Sequence, residues 1–194
     1  LACAASAGFT DVLLAPNTQP ALSTKSSIQY VTGKAKGNAV RLHPIGAASQ
    51  NAEGKDLAEM LDMRANGAIA FSDGWKPLQN ANLMMKALEY VKAFGGVIAQ
   101  HSQEPRLTDG AQMNEGEVSA RLGLAGWPAV AEEAIIARDV LLAEHVGSRL
   151  HVCHLSTAGS VEIIRWAKSR GIDVTAEVTP HHLVLTDDLA ETYD

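Results

Sequence analysis

The chain has 194 residues, 46% apolar and 20% charged, a balance that supports a sizeable folded core and excludes a disordered tail. A net charge of -6 and a pI near 5.6 leave no basic patch for phosphate backbones, so nucleic acid is not an expected partner. No apolar run approaches the roughly 18 residues of a membrane span, and the N-terminal LACAASAGFT lacks a positive leader region, so a cytoplasmic protein with no membrane partner is expected.

In chain order, short β-rich runs alternate with segments of helical periodicity. Strands are predicted at 9–15, 40–47, 67–72, 96–101, 149–155 and 173–179, and helices at 27–36, 56–65, 83–94, 129–146 and 161–170. In the last unit Ser156 or Thr157 can cap the helix, Val161, Ile164 and Ala167 recur at helical spacing, and Gly171 ends it. Repeated β-α units with near-continuous apolar strands point to one domain with a parallel sheet covered by helices. Periodicity leaves both a doubly wound sheet and a closed (β/α)8 barrel open. The two cysteines, Cys3 and Cys153, cannot build a disulfide framework and are expected to be buried thiols.

Polar residues at the strand ends favour the barrel. Asn17, Asp73, His101 and His154 each fall at or just past the end of a different strand, and Thr179, Pro180, His181 and His182 close another. In a barrel these ends converge on the face where βα loops build active sites. Side-chain alternation predicts that Val152 lines the interior with His154 above it, and that His151 packs outward against helices. The same alternation groups Val97, Ala99 and His101, and likewise Ile69, Phe71 and Asp73. Imidazole and carboxylate converging on an apolar mouth suit zinc and similar ions. His43 and His151 read instead as hydrogen-bonded structural residues. The polar stretch 102–116 reads as either a site rim or a solvated loop.

Four motifs in order, APNTQP (15–20), QHSQEP (100–105), HVCHLSTAGSVE (151–162) and AEVTPHHLVLT (176–186), together with ARLGLAGWPAVAEEAIIARD (120–139), resemble the dihydroorotase family of the amidohydrolase superfamily, in its long bacterial type. The resemblance implies a (β/α)8 TIM-type barrel, with this chain covering a central segment of about six β/α units and the first and last strands outside it. It implies one or two zinc ions and the reversible, water-exchanging cyclisation of N-carbamoyl-L-aspartate to L-dihydroorotate in de novo pyrimidine synthesis. His101 and His154 would be metal ligands, Asp73 a carboxylate ligand, and Asn17 a hydrogen-bond partner of the substrate carboxylate. Coordination would bring the pKa of water from 15.7 to about 7, so that a metal-activated hydroxide attacks the ring amide.

The chain departs from the family pattern in two places. His101-Ser102-Gln103-Glu104 stands where relatives read HCED, and Ser72-Asp73-Gly74 where they read SDDG, which shifts the alignment of Asp73 by up to one position. For His181 and His182 a place at the site and a structural role after Pro180 both stand. The family's His-x-His pair would precede Leu1, and its proton-shuttling aspartate would follow Asp194, so no catalytic residue is expected within the chain and the isolated segment is expected to be inactive. The partners implied are a small-molecule substrate, a second copy as a homodimer, and aspartate transcarbamoylase. Two rival readings are a hydantoinase or allantoinase, which would need a carboxylated lysine that AFSDG does not offer, and a noncatalytic dihydroorotase-like subunit supporting aspartate transcarbamoylase.

Overall fold

The structure, a computed structural model, describes residues 1–190. Its elements run α1 (Ala2–Ser6), β1 (Asp11–Leu14), α2 (Lys25–Ala35), β2 (Arg41–Ala47), α3 (Met60–Ala65), β3 (Ala70–Ser72), α4 (Ala81–Lys92), β4 (Val97–His101), β5 (Met113–Asn114), α5 (Glu117–Leu122), β6 (Gly126–Trp127), α6 (Val130–Val146), β7 (Arg149–Cys153), α7 (Ala158–Ser169), β8 (Val174–Ala176) and α8 (Pro180–Val184). Six strands form one sheet in the order β1-β2-β3-β4-β7-β8, parallel throughout. This is part of a (β/α) barrel, with each strand meeting the expected run. The short parallel pair β5–β6 lies in the 102–128 connection, where no strand is predicted.

Local chemistry explains the boundaries. Thr24, Asn80 and Thr157 cap α2, α4 and α7 by accepting backbone N–H groups of the first turn. Gly123 and Gly147 end α5 and α6 in the left-handed conformation that favours glycine. Among the described residues no helix is long and apolar enough to cross a membrane.

The core lies between the sheet and its helices, and it reverses one expectation. Leu150 and Val152 of β7 are buried with Ile98 and Phe71 against Met84, Leu88, Ile136, Val140, Ile164 and Ala167. Val152 therefore faces the helices, not the barrel interior. In register Gln100 sits beside Val152, whereas Ala99 sits beside His151 and His101 beside Cys153. His151 accordingly lies on the interior face, where its Nδ1 is 2.8 Å from Thr175 Oγ1. On β7 the predicted alternation holds, and the inversion is in which set the helices cover. Cys3 is exposed on α1 and Cys153 only partly buried, so neither is a core thiol.

One buried polar network braces the loop after β3. Gln100 donates to Asp139 (3.2 Å) and accepts from the Leu78 amide (3.2 Å), while Arg138 donates to Asp139 (2.8 Å) and to the Leu78 carbonyl (2.7 Å). Asp139 is fully buried, and burial, opposed by Arg138 and Gln100, pushes its carboxyl up to about 6.

Candidate metal centre

His101 ends β4, and His154 is the residue after the last of β7. Continued alternation would turn His154 toward the helix face with Val152. Instead its backbone takes φ of 60°, a left-handed conformation costing a non-glycine residue roughly 1–2 kcal/mol. Strain of this kind gathers at sites where geometry matters. With that turn the two imidazoles stand 5.6 Å apart between ring centroids. Nδ1 of His101 and Nδ1 of His154 are both buried with no hydrogen-bond partner, as is Ser102 Oγ next to them.

Leaving such groups unsatisfied costs about 1–3 kcal/mol each, so a buried pair of bare imidazole nitrogens fits a bound cation. Burial above all, and then the neighbouring His154, hold His101 below the usual histidine range, against the opposing pull of Gln103 and Glu132. That keeps the ring in the neutral form a metal requires.

Trp75 covers the pair. Its indole stacks on His154 at 5.6 Å and 19° and meets His101 edge-on at 5.9 Å, yet it remains 65% exposed. It helps to wall a cavity of about 660 Å³ with His101, His154, Trp127, Glu132 and His181. Ser102, Gln103, Met113 and Asn114 supply part of the wall, so two parts of the 102–116 stretch border the cavity. His181 and His182 both line the cavity, and His182 is also tied by Nδ1 to Thr179 Oγ1 at 2.7 Å.

The Asp73 carboxylate is engaged by neighbouring hydrogen-bond donors. The residue is 2% exposed, and its carboxylate accepts the amides of Ala48 (3.0 Å) and Ser49 (2.9 Å) and the Ser49 hydroxyl. Both oxygens thus tie the end of β3 to the segment after β2. Asn17 is exposed and leans over Gly74: a Cβ on Gly74 would lie 3.0 Å from Asn17 Oδ1. A second aspartate at position 74 would be crowded there and forced to φ of 68°. His43, read as structural, pairs with Asp11 at 2.7 Å.

Among the described residues, the three potential ligands whose atoms all lie within 4.8 Å of one another are His151, Cys153 and Glu177. Glu177, just past β8, lies 3.5 Å from both His151 Nε2 and His154 Nε2, one carboxylate oxygen toward each. Burial first, and then Glu177, push the Cys153 thiol up to about 12, so it is protonated at neutral pH. Sequence reasoning did not single out Trp75, Glu132 or Glu177. Their signals were present, since Glu177 sits within AEVTPHH, Glu132 within AVAEEA, and Trp75 two residues past Asp73.

Residues 1–160 match the Dihydro-orotase-like family model. The chain belongs to the dihydroorotase family. It is 62% identical to the dihydroorotase of Streptomyces coelicolor, over 98% of this chain and 45% of that protein, and 63% identical to that of Leifsonia xyli, over 98% and 44%. It therefore spans somewhat under half the length of these relatives. Among solved structures it is similar to the L-hydantoinase of Arthrobacter aurescens (25% identity, TM-score 0.77, 95% of this chain and 43% of that one). A D-hydantoinase is similar in fold (21% identity, TM-score 0.75, 98% and 43%). For a dihydroorotase relative, the departure at 72–74 has a structural consequence: Gly74 gives Asn17 room, and the carboxylate beside it is occupied by Ser49.

Proposed function

We propose that the protein is a dihydroorotase, catalysing the reversible cyclisation of N-carbamoyl-L-aspartate to L-dihydroorotate with exchange of one water. The observation that carries the reading is the pair of partnerless, buried Nδ1 atoms of His101 and His154 on one cavity. These two residues hold a divalent cation, with zinc favoured by the donor set. When bound, the cation supplies Lewis-acid polarisation of an amide carbonyl and lowers the pKa of water toward neutrality. The chain's own groups do the rest of the work assigned to them. Glu177 faces Nε2 of His154 at 3.5 Å, the side from which carboxylates commonly orient ligand histidines, with Nδ1 turned toward the cation. Asn17 binds the substrate carboxylate, and Trp75 and Trp127 wall the site against bulk water. Asp73 is assigned to bracing the Ala48–Ser49 segment instead of to ligation. His151, Cys153 and Glu177 offer a place for a second ion.

The test is an assay of the protein at its full natural length with dihydroorotate, hydantoin and allantoin. Dihydroorotate should be the preferred substrate, chelation should abolish turnover, and zinc should restore it. His101→Ala and His154→Ala should each lose metal and activity together. Preference for hydantoin, or turnover unaffected by both substitutions, would overturn the reading.

A further inference from the structure

Glu132 belongs to neither set of candidate ligands, and it forms no three-ligand group with His101 and His154 within 4.8 Å among the described residues. It lies in the first turn of α6 and reaches across to the segment after His154. One oxygen accepts the amides of Ser156 (3.0 Å) and Thr157 (3.3 Å), and the other accepts the Ser156 hydroxyl at 2.5 Å. Thr157 in turn caps α7 by accepting the Ser160 amide at 3.1 Å. Beside it, Glu133 packs so tightly that a Cβ on Gly159 would fall 2.2 Å from its Oε1. The acidic start of α6 thus grips the start of α7.

His154 sits between two fixed points. Before it, β7 is paired to β4 and β8; directly after it, the Leu155 amide donates to the Glu177 carbonyl at 2.9 Å. One residue further on, the Glu132 clamp holds Ser156 and Thr157. A left-handed histidine persists only where its surroundings over-determine it. If the clamp is released, the chain after residue 154 is held by the Leu155 bond alone, so the left-handed turn is less constrained and the His154 imidazole is freer to turn away from His101.

We propose that Glu132 is a positioning residue for the metal centre: by clamping Ser156 and Thr157 it holds His154 in the turn that aims its imidazole at the shared cavity. This rests on His101 and His154 being the ligands. Substitution of groups that orient metal ligands typically costs 10–100-fold in affinity. The experiment is a Co²⁺ titration of the full-length protein as wild type, Glu132→Ala, Glu132→Gln, His154→Ala and Thr24→Ala, with amide exchange measured on the metal-free forms. Glu132→Ala should bind Co²⁺ about 10- to 100-fold more weakly and exchange the Ser156 and Thr157 amides faster. Glu132→Gln should recover part of the affinity, because its amide oxygen still accepts from those amides. Thr24→Ala removes a helix cap remote from the site, and should lower the melting temperature while leaving the Co²⁺ dissociation constant unchanged. Wild-type affinity in Glu132→Ala overturns the proposal and leaves the ligand assignment standing. Wild-type affinity in His154→Ala overturns the ligand assignment and the proposal with it.

Discussion

At position 74 any side chain would be penalised twice, by the left-handed backbone (φ of 68°) and by Asn17 Oδ1 at 3.0 Å. Gly74→Ala should therefore destabilise the protein by about 1–2 kcal/mol and, by displacing Asn17, raise KM. Thermal melts and steady-state kinetics check the two effects separately, and an unchanged KM would show that Asn17 takes no part in substrate binding. Next to it, Trp75 presents a mostly exposed indole over the two imidazoles. A stacking contact of this type is worth about 0.5–1.5 kcal/mol. Trp75→Ala should accordingly raise KM by roughly 2- to 10-fold with kcat little changed. A fall in kcat with constant KM would place the indole on the reacting atoms instead. Neither residue's role was visible from spacing, because each depends on which neighbours the fold brings within van der Waals reach.

Two carboxylates on different elements act on stability in opposite pH windows. Asp139 of α6 has its folded-state pKa raised to about 6, so the folded form binds the extra proton. Its contribution is full below the unfolded carboxylate value of about 3.9 and is lost as pH rises through about 6. Asp11 on β1 is displaced downward, first by hydrogen bonds from Arg41 and then by His43 and Thr10. Its contribution is present above the ordinary carboxylate range and is lost as pH falls through and below it. Asp139→Asn should thus flatten the dependence of melting temperature on pH between about 4 and 7, and Asp11→Asn should flatten it only at the acid end. Melting curves across pH for both variants test the assignment; an unaltered slope for Asp139→Asn between pH 4 and 7 would contradict it. At this scale the caps, strand runs and alternation were readable from residue pattern. The covered face of the sheet was not: Leu150 and Val152 form a clean apolar set on β7, but an apolar set fits the helix side and a barrel interior equally well.

Across the whole molecule, the proposed metal centre would couple separate β-α units, as His101 ends β4, His154 follows β7 and Glu177 follows β8. An ion bound only to the folded state stabilises by about 2.7 kcal/mol at a free concentration 100 times its Kd. Zinc should therefore raise the melting temperature of the full-length protein, chelation should reverse the rise, and His101→Ala should abolish it. Cys153→Ser should remove any thiolate-to-Co²⁺ absorption while leaving the band from the His101–His154 site. Zinc-independent melting would argue that the two buried nitrogens are satisfied in another way.

The linear order of residues determined the alternation of strands and helices, the parallel sheet, and the placement of polar groups at strand ends, because those features follow from local periodicity and turn chemistry. Motif order likewise carried the family. Which of the strand-end groups meet was decided only in three dimensions. Asp73 turns to Ser49 because the Ser49 amide and hydroxyl lie beside it, and His154 reaches His101 because a left-handed residue interrupts the alternation just past β7. No periodic pattern encodes either event; both depend on hydrogen-bond partners supplied by elements distant in sequence.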